Sequence, residues 1–304
     1  MTNTRVSRHC PVCDAPPTGA STFVGETLDE KRLTGFSFAS RKDPEYMSHR
    51  MVQCPACDLV YVDTPPRQDE LARAYHQADY DSSEEANDAA LAYVAAIAPT
   101  LGRLRQRSSA LEIGTGTGIF LEHLQRAGFK SLVGVEPSRA AIAAAPPNRR
   151  AWIRETIFVE ADHAPDSMDL ICCFMTMEHV LDPGAIARSA MRLLRPGGAF
   201  VTVTHDYRSL VNRILGRRSP IIDIEHMQLF STASAAQLFR SCGYADVSVQ
   251  AFVNRYSLRY WTRLMPLPGP AKRGALAIMG RTHIDGVKLG FNVGNIITAG
   301  FKPG

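Results

Sequence analysis

The 304-residue sequence predicts an α/β fold: a doubly wound sheet of seven strands preceded by a small β-rich module. Three observations carry that expectation. From Ala110 onward, short apolar runs alternate with helix-patterned stretches, as a parallel sheet covered on both faces requires. Three alternating glycines, Gly114, Gly116 and Gly118, follow the first of those runs and lead into an apolar-periodic helix. Before residue 64, helical periodicity is scarce, turn formers abound, and two Cys-x-x-Cys pairs stand far apart.

Taken in order, the N-terminal module is expected over residues 1–66. It is built around Cys10-Pro11-Val12-Cys13 and Cys54-Pro55-Ala56-Cys57, with a strand at 59–62 and a boundary at Thr64-Pro65-Pro66. Residues 67–107 read as a helical linker or lid, with an Ala-rich helix at 88–98 ended by Pro99. Residues 108–304 form the main domain. Its strands are expected at 110–113, 132–135, 152–155, 170–174, 199–204, 245–251 and 295–301, with an insertion at about 252–292. There is no internal repeat and no low-complexity tract.

An apolar fraction of 45% with 21% charged residues excludes a disordered or collagen-like chain. No apolar run approaches the ~18 residues that would cross a bilayer. Arg5 and Arg8 are followed by Cys10 and Pro11 where a secretion signal would need an apolar stretch, so a cytoplasmic protein is expected. The 34 Lys and Arg against 30 Asp and Glu are unevenly placed: residues 205–304 hold 13 basic and 5 acidic residues. A basic last third attracts an anionic substrate, a membrane surface or a nucleic acid, or is simply a scatter of solvated arginines.

Seven cysteines, an odd number in that compartment, argue against a disulfide framework. Cys10, Cys13, Cys54 and Cys57 form two pairs separated by forty residues, a longer gap than a typical zinc ribbon has. Four thiolates suit a closed tetrahedral Zn2+ with a structural role; an iron–sulfur or redox pair, or free thiols, are the alternatives. Cys172, Cys173 and Cys242 read as packing residues.

The stretch Leu111-Glu112-Ile113-Gly114-Thr115-Gly116-Thr117-Gly118 is the most informative. Glycines let a ligand approach the backbone, and the helix start offers free N–H groups. The spacing is G-x-G-x-G, with Ile119 where a dinucleotide fingerprint needs glycine. Glu112 can hold the cationic end of an amino-acid-like group. Glu136 ends the second strand, 22 residues after Gly114, where an acid binds ribose hydroxyls. Ribose plus a cationic amino-acid tail, without phosphate, describes S-adenosylmethionine.

Residues 108–250 resemble class I S-adenosylmethionine-dependent methyltransferases. The matching pieces are Glu112 to Gly118, Val133-Gly134-Val135-Glu136-Pro137-Ser138, Met168-Asp169-Leu170-Ile171, Met177-Glu178-His179-Val180-Leu181-Asp182-Pro183 and Leu194-Arg195-Pro196-Gly197-Gly198. The resemblance implies a Rossmann-like sheet. It also implies that Glu112, Gly114, Thr115, Gly116 and Gly118 frame the methionine portion and Glu136 and Pro137 the ribose. Thr156, Ile157 and Phe158 would then flank the adenine, with Met175 at the fourth strand's end beside the cofactor.

With the paired cysteines, the whole arrangement resembles bacterial methyltransferases that carry an N-terminal zinc-binding module. Among these are sugar C-methyltransferases acting on nucleotide-linked deoxysugars, whose extra C-terminal domain is not expected within these 304 residues. Those enzymes place a tyrosine and then a Glu-His pair near the reacting carbon; Glu225 and His226 match the pair, and Asp223 stands at the tyrosine position. His226 with Glu225 is therefore the first choice for a general base, His179 the second and His205 the third, all at loop positions after strands.

The expected function is methyl transfer to a small or carrier-linked, anionic acceptor such as a sugar or a secondary-metabolite intermediate. Two alternatives are a nucleic-acid methyltransferase and a non-catalytic zinc- and nucleoside-binding protein. The first is disfavoured because Phe174-Met175-Thr176-Met177 replaces the Asp/Asn-Pro-Pro-aromatic signature. The interleaved Arg255, Tyr256, Arg259, Tyr260, Trp261, Arg263 and Leu264, before Pro266 and Pro268, read as a lid, a peripheral membrane contact, a homodimer contact or a helix packed on the sheet.

Overall fold

The computed structural model describes residues 7–39, 45–80, 83–265 and 267–304; Arg5 and Pro266 lie outside them. The N-terminal strands β1 (Ser21–Val24), β2 (Met51–Gln53) and β3 (Val60–Val62) form an antiparallel meander. Two helices follow, α1 (Gln68–Gln77) and α2 (Ser83–Arg103). Contrary to the sequence expectation, Pro99 does not end α2, which continues one more turn. Proline forfeits one hydrogen bond, and burial of Ile97 and Thr100 together with an Arg107 Nη2 bond to the Leu101 carbonyl (2.9 Å) holds that turn in place.

The strand–helix alternation then runs as β4 (Ser109–Ile113), α3 (Ile119–Arg126), β5 (Ser131–Glu136), α4 (Arg139–Ala144), α5 (Pro147–Arg150), β6 (Ile153–Glu155), β7 (Met168–Phe174), α6 (Pro183–Leu193) and β8 (Leu194–His205). Next come α7 (Leu210–Leu215), β9 (Gln228–Leu229), α8 (Thr232–Ser241), capped by Ser231, and β10 (Ala245–Ala251). The inserted segment is a hairpin of β11 (Asn254–Ser257) and β12 (Lys288–Phe291) that carries α9 (Leu258–Leu264) and α10 (Gly269–Thr282) at its tip. The chain closes with β13 (Asn295–Phe301).

The main sheet has the order β10-β13-β8-β7-β4-β5-β6, parallel except where β13 pairs with β8 and β10. All seven strands lie where the sequence placed them, with ends shifted; β8 starts earliest relative to expectation, at Leu194. The chain builds outward from β4 to β6, then returns to lay β7 on the other side of β4. The crevice beyond the carboxyl ends of β4 and β7 is thus the topological switch point, where such sheets bind ligands.

Strands β4 and β7 are buried along their whole length, which suits their uninterrupted apolar runs. Their N-terminal ends are fastened by buried Asp169, which accepts the Ser108 and Ser109 N–H groups (2.6 and 2.9 Å) and pairs with Arg195 (2.8 Å). One face of the sheet packs on α2 and α3 through Tyr93, Ile97, Phe120 and Leu124. On the other face, the core of Leu111, Ile171 and Phe200 is continuous with Cys10, Cys54 and Tyr61 of the N-terminal segment. The two-residue strand β9 adds itself to the small sheet: Val60 pairs with Leu229 and Tyr61 with Gln228. The small sheet is therefore tied directly to the loop that carries His226.

Candidate functional site

The glycine turn after β4 brings its backbone close against the Thr176 side chain. Gly114 sits at φ +75, and a Cβ there would fall 2.2 Å from Thr176 Oγ1. Gly116 and Gly118 are left-handed too, and Gly118 caps α3. The turn aims the Gly116 N–H at Glu136 Oε2 (2.8 Å), while the Ser138 N–H meets Oε1 (2.8 Å). Two N–H groups fix the carboxylate and leave each oxygen with acceptor capacity toward the cleft that it lines. Burial pushes the Glu136 carboxyl up from the usual glutamate range, and the two backbone bonds hold it back in part. Such a carboxylate fits a pair of ribose hydroxyls.

Glu112 is buried on the cleft floor and accepts a hydrogen bond from Thr115 Oγ1. Met175, at φ +50, turns the chain sharply after β7, and its N–H reaches the Val203 carbonyl (2.8 Å). A bulky residue in the left-handed region is held there only by its surroundings, and here it brings Thr176 against Gly114. Thr156, Ile157 and Phe158 line the far side, where Phe158 stacks on His163. Pro137 also lines it, with its carbonyl bonded by His76 Nδ1 of α1 (3.0 Å). Every residue that the sequence reading set beside the cofactor, apart from Gly118, lines one cleft of about 600 Å³.

The same cleft extends to His179, His205 and His226, so the structure brings all three candidate bases together. The His226 ring lies 4.8 Å from His179 and 5.8 Å from His205, centroid to centroid. His226 Nδ1 is 2.8 Å from the Ile221 carbonyl. A carbonyl only accepts, so Nδ1 carries a proton, and in the neutral ring the lone pair is then on Nε2. That Nε2 is 4.0 Å from Glu225 Oε1. His205 Nδ1 lies 3.2 Å from Glu178 Oε1, on a carboxylate with no solvent exposure. The Glu178 carbonyl also accepts the Met227 N–H (2.7 Å) and so pins the loop that bears His226.

Sequence reasoning missed Tyr75. Its hydroxyl is 2.9 Å from His179 Nδ1 and donates to the Glu225 carbonyl (3.1 Å), and burial pushes its own ionisation well up, so it keeps its proton. The signal available was slight, a tyrosine on an amphipathic helix. Asp223 is buried, and its Oδ2 accepts the Glu45 N–H (3.3 Å). From the insertion, Tyr256, Tyr260, Trp261 and Leu264 form a wall of the cleft. Arg263 turns instead to Glu85 of α2 (3.6 Å).

Away from the cleft, the four sulfur atoms of Cys10, Cys13, Cys54 and Cys57 lie within 4.8 Å of one another. The Cys10–Cys57 and Cys13–Cys54 contacts are 3.5 Å. A zinc ion with Zn–S bonds of about 2.3 Å needs sulfurs about 3.8 Å apart, so the set fits a tetrahedral ion after small shifts of the sulfurs. Each pair sits on the same turn: Asp14 and Asp58, both left-handed, return their N–H to the carbonyls of Cys10 (2.9 Å) and Cys54 (3.1 Å). The hydrogen bond that Cys10 and Cys57 share lowers the Cys10 thiol and raises that of Cys57, and burial raises Cys13.

Comparison with known proteins matches residues 84–249 to the family described as "Methyltransferase domain". The ubiquinone biosynthesis O-methyltransferase of Serratia proteamaculans is 32% identical over 110 residues, which cover 34% of this chain and 43% of that protein. Its counterpart from Sodalis glossinidius is 31% identical over 115 residues, covering 36% and 46%. The chain thus spans less than half the length of these curated relatives. A crystal structure of a candidate methyltransferase from Bacillus halodurans C-125 shares the fold at 15% identity, with a TM-score of 0.50 over 69% of this chain and 99% of that one. No helix among the described residues is long and apolar enough to cross a membrane. A family match over more than half of its length places the chain among the methyltransferase-domain proteins, as a class I S-adenosylmethionine-dependent methyltransferase.

Proposed function

We propose that this protein transfers the methyl group of S-adenosylmethionine to a hydroxyl oxygen of a small or carrier-linked acceptor. One observation carries the reading: a single cleft holds the Glu136 carboxylate, fixed by two backbone N–H groups, and a cluster of three histidines beyond it. The residues from Glu112 to Gly118 take the methionine portion of the cofactor, Glu136 and Pro137 the ribose, and Thr156, Ile157 and Phe158 the adenine. Bound there, S-adenosylmethionine supplies an electrophilic methyl with a neutral thioether as leaving group.

The protein's share is alignment and proton handling. In its neutral form His226 accepts the hydroxyl proton at Nε2, because Nδ1 donates to the Ile221 carbonyl. Glu225 stabilises the resulting imidazolium from 4.0 Å. His179, fixed by Tyr75, and His205, whose backbone N–H donates to Glu178, hold the acceptor against that base. The walls of Tyr256, Tyr260 and Trp261 exclude water. The similarity to the ubiquinone biosynthesis O-methyltransferases favours oxygen as the methylated atom. Cys10, Cys13, Cys54 and Cys57, in a module of residues 1–66, hold one structural zinc.

The test is incubation with methyl-deuterated S-adenosylmethionine and pooled phenol and sugar acceptors, read by mass spectrometry. A heavy methyl on oxygen is expected. A heavy methyl on nitrogen or carbon would overturn the choice of oxygen, and a cleft that binds no S-adenosylmethionine would overturn the whole reading.

A further inference from the structure

Helix α7 is built inside out. Its polar residue Asn212 is buried: Nδ2 donates to the Asp206 carbonyl (2.7 Å), and Oδ1 accepts from Ser219 Oγ (2.8 Å). Three of its four apolar residues face solvent, with Leu210 72% and Ile214 74% exposed and Val211 36%, while Leu215 is half-buried. A helix packing on a domain core turns the opposite way. The apolar face of α7 is therefore anchored outward by hydrogen bonds on its polar side.

Cations surround that face. Arg213, Arg217 and Arg218 are exposed, and none of their guanidinium groups has a carboxylate partner among the described residues. Solvated arginines alone would be unremarked on a surface, but here they flank large apolar side chains. The place matters as well. Pro220 and Ile221, which follow the arginines, line the cleft. Ser209, the N-cap of α7, abuts Gly294, a few residues beyond β12, where Leu289 and Phe291 are also exposed. Exposed apolar side chains are therefore carried both by α7 and by the β12 segment beside it.

We propose that this rim docks on an anionic lipid bilayer, with Leu210 and Ile214 among the acyl-chain ends and the arginines on the headgroups. Single apolar side chains ringed by unpaired cations match a diffuse anionic surface with a soft apolar layer beneath it. A second copy of this chain is a poorer occupant. The exposed face of a six-residue helix falls far short of the roughly 800 Å² per partner that a stable dimer buries, and it would bring arginine against arginine. Docking of this kind brings the Pro220–Ile221 edge of the cleft toward the membrane surface. It is read by partition, not by turnover, so it stands or fails apart from the methyl-transfer proposal.

Flotation of the full chain with vesicles tests it. Binding is expected to phosphatidylcholine vesicles that contain phosphatidylglycerol, weakened by salt, and not to phosphatidylcholine alone. Leu210→Asp with Ile214→Asp should abolish it. Arg213→Gln, Arg217→Gln and Arg218→Gln together should lower partition by roughly a hundredfold, at about fivefold per arginine. Both variants should keep the wild-type melting temperature and cofactor affinity. The proposal is overturned if the wild type ignores anionic vesicles, or if well-folded variants bind them as the wild type does. It is equally overturned if the wild type sediments as a dimer that L210D/I214D dissociates, since a second copy would then own this face.

Discussion

Replacing Glu136 with alanine is the perturbation whose size the structure fixes best. The carboxylate is 9% exposed, is held by the Gly116 and Ser138 N–H groups, and faces the cleft with one accepting position free on each oxygen. Two hydrogen bonds from neutral hydroxyls to a charged acceptor are worth about 1.5–3 kcal/mol each. Their loss amounts to about 3–6 kcal/mol, or roughly two to four orders of magnitude in affinity. Water admitted to the enlarged cleft also bonds the two N–H groups, so the low end of that range is expected, with a melting temperature close to the wild type. Calorimetric titration with S-adenosylmethionine is the assay. An affinity within a few-fold of wild type would refute the ribose role.

The same residue gives a pH signature. Its folded-state carboxyl is raised by burial. The native state therefore keeps a proton that the unfolded chain has already released, and this group's contribution to stability falls as pH rises through that window. Affinity for the cofactor, which needs the carboxylate, should rise over the same window. On acidification it should begin to fail above the ordinary glutamate range. An affinity that holds until the ordinary range would show that another group takes the ribose.

Three further outcomes are expected. His226→Gln should lower kcat by about 10²–10⁴ while cofactor affinity stays at the wild-type value; a loss of affinity with unchanged kcat would move the residue out of the proton-transfer role. Cys54→Ser should remove the zinc found by metal analysis and unfold the N-terminal sheet by circular dichroism, because structural zinc binding of about 10–16 kcal/mol rivals the stability of a whole domain. A well-folded, metal-free wild type would contradict that. Gly114→Ala, forced to φ +75 and into Thr176, should cost about 1–3 kcal/mol in denaturant unfolding and weaken the cofactor; a neutral effect would mean the turn can relax.

The half of the cleft around the glycine turn was legible because its signals are local. Gly114 to Gly118 and Glu136 are read within single strand–turn units, and chain topology alone carries them to the switch point. The histidines were legible as positions after strands. Their ranking was not, because it depends on partners: Ile221 for His226, Glu178 for His205 and Tyr75 for His179. Tyr75 lies 104 residues from His179, on a helix whose pattern reads equally well as core. Strand β9 is two residues long, too short for any period, yet it joins the cysteine-bearing sheet to the His226 loop. The continuation of α2 through Pro99 rests on packing from distant residues, which local propensity does not contain.

Competitive calorimetry on the wild-type chain with S-adenosylmethionine, S-adenosylhomocysteine, NAD and ATP tests the central claim most directly. One site per chain that takes the first two and neither of the others is the predicted result. Saturable binding of NAD or ATP at that site, displacing S-adenosylmethionine or in place of it, would contradict the account.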